Sequence, residues 1–543
     1  MKKWQVENTA KAKDLVSILL ENRGIKTMKA RKSFLHPNLA QVSTQAVKIN
    51  KLQLKKALAR IKKAIKNKEK IIVFGDYDVD GICGTAILWE TLNALDADVM
   101  PYIPSRFEEG YGLSETGINN LTTKYDNCAL IITVDNGIVA NDAVNFAKKN
   151  KIDVIITDHH VPTKKLPNAL AVVHTTLLCG TGVAWLLSQK LKENNDNHLE
   201  LVALATIADL VPLTGANRIL VYYGLHKLRE TKRVGLLALI NKAGIVKEEI
   251  GTYEIGHMLA PRLNAMGRLA SAMDSLRLIC TSDKKRAENL AELLNQTNLE
   301  RQQFTQEALS HAKNKVEKEG LKSLIFIADE SYQQGIVGLV AGRMVEEFYL
   351  PSIIISKGKT HSKASARSIR GFNIVEFLRS ASDLLVDIGG HPMAAGFTVE
   401  TDKIELLEKR LYESARKLLS KGTLERVLRI DCEIDPAAIN YETYSLVQTL
   451  APFGMANPEP TFLTKKLTVA DIRAVGKEGK HLKIRLRAKN SGVMINSIAF
   501  GMGDKNELKI GDNVDVVYTL ESNNWGDNKN IELKIKDLRS SFS

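Results

Sequence analysis

Residues 71–81 read IIVFGDYDVDG, a short apolar run followed by acids at three alternate positions. The run is continuous and rich in β-branched residues, which predicts a strand buried on both faces of a parallel sheet. Side chains at alternate positions of an extended segment share one side, so Asp76, Asp78 and Asp80 are brought together. Such crowding is costly unless a cation offsets it. Taken alone, the segment fits a catalytic cation site, a calcium loop or an Asx-rich turn.

Two more apolar runs end in side chains that bind metals. Residues 130–134 precede Asp135, and residues 154–157 precede Asp158-His159-His160. Helical stretches separate the runs, which indicates an α/β domain. Ligands of open α/β sheets bind outside the carboxyl ends of the strands, so we expect one shared crevice. Carboxylates and imidazoles suit Mn²⁺ or Mg²⁺, and two such ions can clamp the attacking and leaving oxygens of a phosphoryl transfer.

Each of these pieces also has a purely structural interpretation. Asp135-Asn136-Gly137 is a good turn sequence. His159 and His160 can begin a helix with satisfied imidazoles, and Asp209 can solvate the end of a helix over residues 199–208 rather than close the crevice. The joint placement of acids at three successive strand ends favours the shared site.

The remainder of the chain predicts a second α/β region and a barrel. A long helix from about Lys285 to Glu319, capped by Thr281 or Ser282, connects the two α/β parts. Strands are expected at 323–328 and 352–356, with Gly389-Gly390-His391 in a tight loop. Beyond Arg426, residues 481–487 alternate strictly between apolar and basic, which predicts a small antiparallel barrel.

Bulk composition narrows the class of protein. A chain of 543 residues is too long to fold around a single hydrophobic core, and we expect three or four domains. Lys and Arg total 76 against 62 Asp and Glu, and the resulting +14 favours a nucleic-acid partner, although a lysine-rich solvated surface also explains it. The five cysteines form no CxxC pair, and no signal peptide or membrane span is visible. A cytoplasmic location is expected.

The acidic motifs resemble, in their order, those of the DHH phosphoesterase superfamily. They are Asp76-Tyr77-Asp78-Val79-Asp80-Gly81, Val134-Asp135-Asn136-Gly137, Asp158-His159-His160 and Ala208-Asp209. Further stretches over nearly the whole chain resemble the RecJ family of bacterial single-stranded-DNA-specific exonucleases. They are RFEEGYGL at 106–113, PRLNAMGR at 261–268, SARS at 365–368, GGHPMAAGF at 389–397 and PFGMANPEP at 452–460.

Pattern and resemblance together imply an α/β fold with five parts. These are an N-terminal helical segment (1–46), a DHH-type parallel-sheet domain (47–270), a connecting helix (271–320), a second α/β, DHH-associated domain (321–425) and a C-terminal OB-fold β-barrel for nucleic acid (426–543).

The resemblance also implies two divalent ions, Mn²⁺ or Mg²⁺, and their ligands. The expected ligands are Asp78, Asp80, Asp135, His159 and Asp209. Asp135 is the expected bridge between the ions, and Asp76 lies at the rim and binds directly or through water. His160 is expected to contact the scissile phosphate and completes the catalytic set.

A second set of residues is expected to bind DNA. By resemblance it comprises Arg106, Tyr111, Arg262, Asn264, Arg268, Arg367, Ser368, Gly390 and His391. The outward Lys483, Arg485 and Arg487 of the barrel fit a single strand independently of the resemblance. Alternatives stay open, because Arg367 also fits a surface ion pair, Gly389-Gly390 a turn, and Arg262 and Arg268 a brace on the connecting helix.

The implied activity is 5′-to-3′ degradation of single-stranded DNA to 5′-mononucleotides, in recombination and repair. A monomer is expected, with a single-strand-binding protein and a helicase as implied partners. A small-molecule phosphodiesterase or pyrophosphatase would not need the basic barrel, and a non-catalytic binding scaffold would have lost acids. Two departures from the family are Tyr332-Gln333 in place of the frequent Trp-His, and a shortened stretch at 173–184.

Overall fold

The structure is a computed structural model of the chain. It describes all residues except 1, 9–13, 107, 193–197, 420–421, 423, 489–491, 504–507, 526–527 and 542–543. Phe107 of the 106–113 motif therefore lies outside the described residues.

Helices and strands follow one another along the whole chain. The first are β1 (Lys3–Asn8), α1 (Leu15–Asn22), α2 (Met28–Leu35), α3 (Lys51–Lys66), β2 (Lys70–Gly75), α4 (Val79–Asn93), β3 (Val99–Tyr102), α5 (Glu115–Lys124), β4 (Cys128–Val134), α6 (Asn141–Lys149), β5 (Asp153–Asp158) and β6 (Ala171–His174). Next come α7 (Gly180–Leu191), α8 (Leu199–Ala208), α9 (Gly215–Arg229), α10 (Val234–Lys242), α11 (Ala260–Leu269), α12 (Ala272–Cys280), α13 (Lys284–Glu319), β7 (Ile325–Asp329), α14 (Val337–Phe348), β8 (Ser352–Ser356) and β9 (His361–Arg367). The last are α15 (Ile374–Arg379), β10 (Leu385–His391), β11 (Ala394–Glu400), α16 (Ile404–Leu418), β12 (Val427–Glu433), α17 (Tyr441–Gln448), β13 (Phe462–Val475), β14 (His481–Ala488), β15 (Met494–Ala499), β16 (Asn513–Trp525) and β17 (Asn528–Ser540).

A five-stranded sheet in the order β3-β2-β4-β5-β6 confirms the predicted parallel architecture. The predicted apolar runs form its central strands, and their side chains are buried on both faces. Because β2, β4 and β5 are neighbours and run in the same direction, their carboxyl ends lie side by side. This edge of the sheet carries the acidic motifs.

The second α/β region is a sheet in the order β10-β11-β9-β8-β7. Helix α13, 36 residues long, precedes it, as predicted, although its N-cap is Asp283, whose side chain accepts from the Arg286 amide at 2.7 Å. The expected tight loop at 389–391 is instead the end of β10, where Gly390 pairs with Ala395 and His391 with Ala394.

The predicted barrel is formed by the five strands β13 to β17, which close because β13 pairs with β16 as well as β14, and β12 extends the sheet outside this ring. The barrel is not wholly antiparallel as expected, because β15 and β17 run in parallel. The N-terminal strand β1 joins this sheet, in parallel with β12. The N-terminal segment is therefore not only helical as expected, because Trp4 and Val6 alternate with exposed residues and pack on the barrel beside Ile430.

Contacts divide the chain into two compact units. One comprises residues 1–47, 210–226 and 427–543, and the other comprises 48–209 and 227–426. The second unit therefore contains both α/β sheets and the helix between them. Among the described residues, no helix has the length and apolar character needed to cross a membrane.

Candidate metal centre

The start of α4 positions two of the acids. Asp78 is the N-cap, and its Oδ1 accepts from the amides of Asp80 at 2.9 Å and Gly81 at 3.1 Å. A Cβ at position 81 would overlap the backbone of Asp76, so the turn requires glycine. The local sequence thus places Asp78 immediately before the first residue of α4 and Asp80 in its first turn.

Asp80 links the start of α4 to the start of α7. Its two carboxylate oxygens accept from the Gly180 amide at 2.6 Å and the Thr181 amide at 2.7 Å. The N-terminus of a helix favours a negative charge. Burial of Asp80, which is 1% exposed, is offset by these two amides.

Asp135 lies directly after β4 in a left-handed conformation, with φ of +63°. Its amide donates to the Thr157 carbonyl at 3.0 Å. A Cβ at Gly180 would lie 2.6 Å from the Asp135 Cβ, so glycine allows α7 to approach this residue closely. Asp135 is 2% exposed, and its Oδ1 has no hydrogen-bond partner among the described residues.

Asp158 orients the two histidines that follow it. Its carboxylate accepts from the amides of Ile138, His159 and His160 at 2.9, 2.7 and 3.1 Å, and from His160 Nδ1 at 2.8 Å. Three of these bonds go to Oδ1, and Asp158 belongs to none of the groups of converging metal-binding atoms among the described residues, so it acts as a positioning residue rather than a metal ligand. The sequence placed Asp158 within the Asp-His-His motif but gave no signal of this role.

The predicted metal-binding side chains converge. His159 Nε2 lies 3.1 Å from Asp135 Oδ1, 3.6 Å from Asp209 Oδ2 and 3.7 Å from Asp80 Oδ2. Three overlapping groups have ligand atoms within 4.8 Å of one another. They are Asp76, Asp78 and Asp135; Asp80, His159 and Asp209; and Asp135, His159 and His160.

The electrostatics of this cluster favour a cation. Burial and neighbouring carboxylates raise the pKa values of Asp76, Asp78 and Asp135, and they raise that of Asp209 to about 9. Burial lowers the pKa of His159, which leaves a neutral imidazole able to coordinate. Asp76 Oδ1, Asp135 Oδ1 and His159 Nε2 are buried without a hydrogen-bond partner among the described residues. Unpaired buried oxygens and an imidazole nitrogen fit a hard divalent ion.

Arginines lie around this acidic centre. Burial lowers the pKa of Arg268 to about 10, with the charges of Arg106, Arg301 and Arg367 acting in the same direction and Asp78 opposing them. The Arg268 guanidinium stays charged at neutral pH and donates to the Gly335 carbonyl at 3.0 Å. Several cations whose charges act on one another fit a bound polyanion.

Two aromatic side chains of the predicted substrate set reach the centre. Tyr111 Oη lies 3.4 Å from the Asp135 carbonyl oxygen and 3.3 Å from His160 Nε2. The His391 ring lies nearly parallel to that of His160, with centroids 6.4 Å apart. Gly390, at φ +138°, allows this approach, since a Cβ there would overlap the backbone of Ala394.

Other predicted DNA-binding residues are already engaged within the chain. Asn264 Oδ1 accepts from the Val79 amide at 3.0 Å, and Arg262 donates to Asn295 Oδ1 at 3.1 Å and to the Met258 carbonyl at 2.7 Å. Ser368 is buried, and its hydroxyl donates to the Phe372 carbonyl at 2.5 Å. Arg367 donates to Ser365 Oγ at 2.8 Å and forms no ion pair among the described residues, so the alternative of a surface ion pair loses its basis.

Comparison with known proteins identifies the family. The DHH family N-terminal domain matches residues 70–210, the DHHA1 domain 320–417 and the RecJ OB domain 430–537. The single-stranded-DNA-specific exonuclease RecJ of Bacillus subtilis is 38% identical over 537 residues, which cover 96% of this chain and 67% of that protein. RecJ of Haemophilus influenzae is 31% identical over 542 residues, which cover 93% of this chain and 92% of that protein.

The chain belongs to the RecJ family. A crystal structure of RecJ from Thermus thermophilus in complex with Mn²⁺ is similar over 100% of this chain and 80% of that one, with 30% identity and a TM-score of 0.83. The similarity confirms the predicted fold class of DHH, DHH-associated and OB-fold parts.

The RecJ OB domain of this chain presents the predicted basic strand. Along β14, Leu482, Ile484 and Leu486 are buried, whereas Arg485 and Arg487 are exposed, so the predicted alternation is confirmed. Lys483 is partly buried and lies 3.9 Å from Glu532.

The first departure from the RecJ pattern alters local contacts. Tyr332 is buried and its hydroxyl lies 2.7 Å from His311 Nδ1, while Gln333 is exposed. The shortened stretch at 173–184 contains the end of β6 and the start of α7, and it leaves the Gly180 contact with Asp80 in place.

Proposed function

We propose that this chain is a metal-dependent exonuclease that degrades single-stranded DNA from the 5′ end to 5′-mononucleotides. The observation that carries the proposal is the convergence of six metal-binding side chains around buried, unpaired oxygens, with arginines beside them. The RecJ relatives named as single-stranded-DNA-specific exonucleases support the substrate. Polarity and product rest on the family resemblance.

Two ligand sets follow from the distances. Asp76, Asp78 and Asp135 would hold one divalent ion, and Asp80, His159 and Asp209 the other. Asp135 suits the bridging role, because its Oδ1 lies 3.1 Å from His159 Nε2 of the second set. When bound, such ions lower the pKa of the attacking water and offset the charge of the phosphate.

His160 suits a phosphate contact better than a metal. Burial lowers its pKa, but the hydrogen bond and charge of Asp158 outweigh burial and raise it. With Nδ1 bonded to Asp158, Nε2 is the nitrogen that can donate to a phosphate oxygen. His391 beside it, and Arg367 and Arg268 in the arginine cluster, supply further donors to the phosphates.

The outward side chains of β14 provide a second contact region. Exposed Arg485 and Arg487, with Lys483, lie on a strand of an OB fold, a platform on which single strands bind. We infer that they contact the DNA backbone without reading sequence. Binding should therefore weaken as salt concentration rises.

One assay separates this proposal from its alternatives. The chain is incubated with Mn²⁺ and, in turn, a 5′-labelled single strand, a 3′-labelled single strand, a duplex and a cyclic dinucleotide. Release of labelled mononucleotide from the 5′-labelled single strand at the earliest times supports the proposal. Preference for the cyclic dinucleotide identifies a small-molecule phosphodiesterase, and binding without cleavage identifies a scaffold. If Asp135→Ala degrades the single strand as fast as the unmodified chain, the metal assignment fails.

The cellular setting belongs to the proposal as well. A monomer that works in the cytoplasm, in recombination and repair, with a single-strand-binding protein and a helicase, is what the resemblance implies. Size-exclusion chromatography with light scattering tests the oligomeric state, and a pull-down with each purified partner tests the association.

A further inference from the structure

Two arginines that have no role in the predicted substrate set, Arg301 and Arg343, accompany Arg262, which belongs to that set. Arg301 is in the middle of α13, and Arg343 is on α14. Arg262, on α11, contacts Asn295 of α13, one turn before the Asn298 that Arg301 contacts, and the charges of Arg262 and Arg343 both act on Arg301. Arg301 and Arg343 occur in none of the motifs that the sequence suggested.

Neutral side chains, rather than acids, orient two of these cations. Arg301 donates through Nε and Nη2 to Asn298 Oδ1, at 3.2 and 2.9 Å. Arg262 donates to Asn295 Oδ1 at 3.1 Å, three residues earlier on the same helix. Residues three apart share a helix face, so Asn295, Asn298 and Arg301 form one polar stripe along α13. The asparagines fix the guanidinium groups without neutralising them.

The charges in this group are not balanced among the described residues. Arg301 and Arg262 form no ion pair there, and Arg343 pairs only with Glu346, at 2.9 Å, where both side chains are largely exposed. Such an exposed pair contributes little and is easily exchanged for another anion. Burial lowers the pKa of Arg301, and the charges of Arg343 and Arg262 lower it further, so the cluster is costly without an anion.

The charge of Arg301 also reaches the arginines of the metal centre. It is among the charges that lower the pKa of Arg268, beside those of Arg106 and Arg367. Arg268 in turn is close enough to Asp78 to be stabilised by it. The charge of Arg301 on α13 therefore acts on Arg268, whose own charge acts on an acid of the metal centre.

We propose that Arg301, with Arg262 and Arg343, forms a separate phosphate subsite that binds a phosphodiester of the strand beyond the one being cleaved. This inference rests on the proposed nuclease function. A planar guanidinium held at one edge by an amide keeps its remaining N–H groups for a phosphate oxygen. The ligand is the DNA backbone itself, so the subsite carries no sequence preference.

The consequence is a dependence on substrate length. A 5′-phosphorylated dinucleotide has no phosphodiester beyond the scissile one and cannot use the subsite, whereas longer strands can. The unmodified chain should show higher kcat/KM on longer oligothymidylates than on the dinucleotide. Arg301→Gln should lower kcat/KM about tenfold on the longer strands and leave the dinucleotide value within about twofold, and Arg301→Lys should restore part of the loss.

The test measures kcat/KM with Mn²⁺ on 5′-phosphorylated oligothymidylates of two to twelve nucleotides. Arg416→Gln, an equal change of charge at an exposed position of α16, is the matched control and should change nothing. Arg343→Gln should have a smaller effect than Arg301→Gln, because Arg343 is more exposed. Equal loss on the dinucleotide and the longer strands, or no loss on either, overturns the subsite.

A binding measurement separates contact from a folding defect. In an Asp135→Asn background, which slows cleavage, the salt dependence of twelve-nucleotide binding is measured by fluorescence anisotropy. Loss of one phosphate contact should flatten the slope of log K against log salt by about 0.7 in Arg301→Gln. An unchanged slope contradicts the subsite. If the unmodified chain cleaves no strand of any length, the proposed function fails instead.

Discussion

Asp158 shows how one residue that binds no metal controls two that act at the centre. Its carboxylate holds the His159 and His160 amides and the His160 ring. Residues that orient functional imidazoles commonly matter nearly as much as the imidazoles themselves. The position of His159 against Asp135 therefore depends on a side chain that does not itself touch the reacting atoms.

Asp158→Asn should lower kcat on single-stranded DNA by about 10- to 100-fold while the chain stays folded. The amide retains one acceptor oxygen, but it loses the charge that orients the His160 ring. Steady-state kinetics with saturating Mn²⁺ measures kcat, and circular dichroism shows whether the variant stays folded. The matched control is Asp142→Asn on α6, an acid outside the cluster. Activity of Asp158→Asn equal to that of the control would contradict the positioning role.

The raised pKa of Asp209 gives a second prediction at this scale. A carboxyl group whose pKa rises on folding, here from about 3.9 to about 9, holds its proton more tightly in the folded chain. Stability without metal should therefore fall as pH rises through this window, because the unfolded chain releases this proton while the folded chain keeps it. Mn²⁺ should raise the stability of the folded chain most at the upper end of this pH range, where the ion replaces the proton.

Thermal unfolding in EDTA from pH 5 to pH 9 measures this effect. The midpoint of the unmodified chain should fall with pH more steeply than that of Asp209→Asn, which cannot ionise. Parallel pH dependences in the two proteins would show that the carboxyl is not held protonated by the fold.

At the scale of elements, the close approach of α7 to Asp135 is the most demanding contact of the site. Gly180→Ala adds a Cβ that would lie 2.6 Å from the Asp135 Cβ. We expect a loss of about 1–3 kcal/mol in the free energy of unfolding, as for overpacked cores, together with weaker Mn²⁺ binding. Gly342→Ala on α14 is the control, since a Cβ there meets nothing within 4 Å and alanine favours a helix. Equal stabilities of the two variants would contradict the contact.

The basic strand of the barrel is tested as one element. Replacing Lys483, Arg485 and Arg487 by Gln should weaken single-strand binding, with a flatter salt dependence, because backbone contacts are lost. The control replaces Lys409, Arg416 and Lys417 on α16 in the same way. Anisotropy titrations at several salt concentrations compare the two. An equal affinity for both proteins would remove β14 from the DNA-binding surface.

Elements with local signals were predictable, and elements that depend on distant partners were not. The runs of β2, β4 and β5 are continuous and apolar because both faces are buried, and the alternation of β14 reveals a sheet with one solvated face. Strand β1 escaped prediction because its partner β12 lies more than 400 residues away. Arg301 was missed because a polar residue in a long helix has no distinguishing local signal, and its neighbours become visible only when α11, α13 and α14 are placed together.

For the molecule as a whole, the acidic side chains come from segments between residues 76 and 209, and only the fold makes them neighbours. Their convergence was predicted from the rule that carboxyl ends of parallel strands meet. The separate unit that contains the barrel adds the β14 contact region, and the net charge of +14 is consistent with a polyanionic substrate.

The most direct test is a crystal of the full chain grown with Mn²⁺ and measured at the manganese absorption edge. We expect anomalous peaks within coordination distance of Asp76, Asp78 and Asp135 and of Asp80, His159 and Asp209, with Asp135 contacting both. A crystal with manganese elsewhere, or with these side chains pointing apart and no anomalous peak among them, would contradict the account.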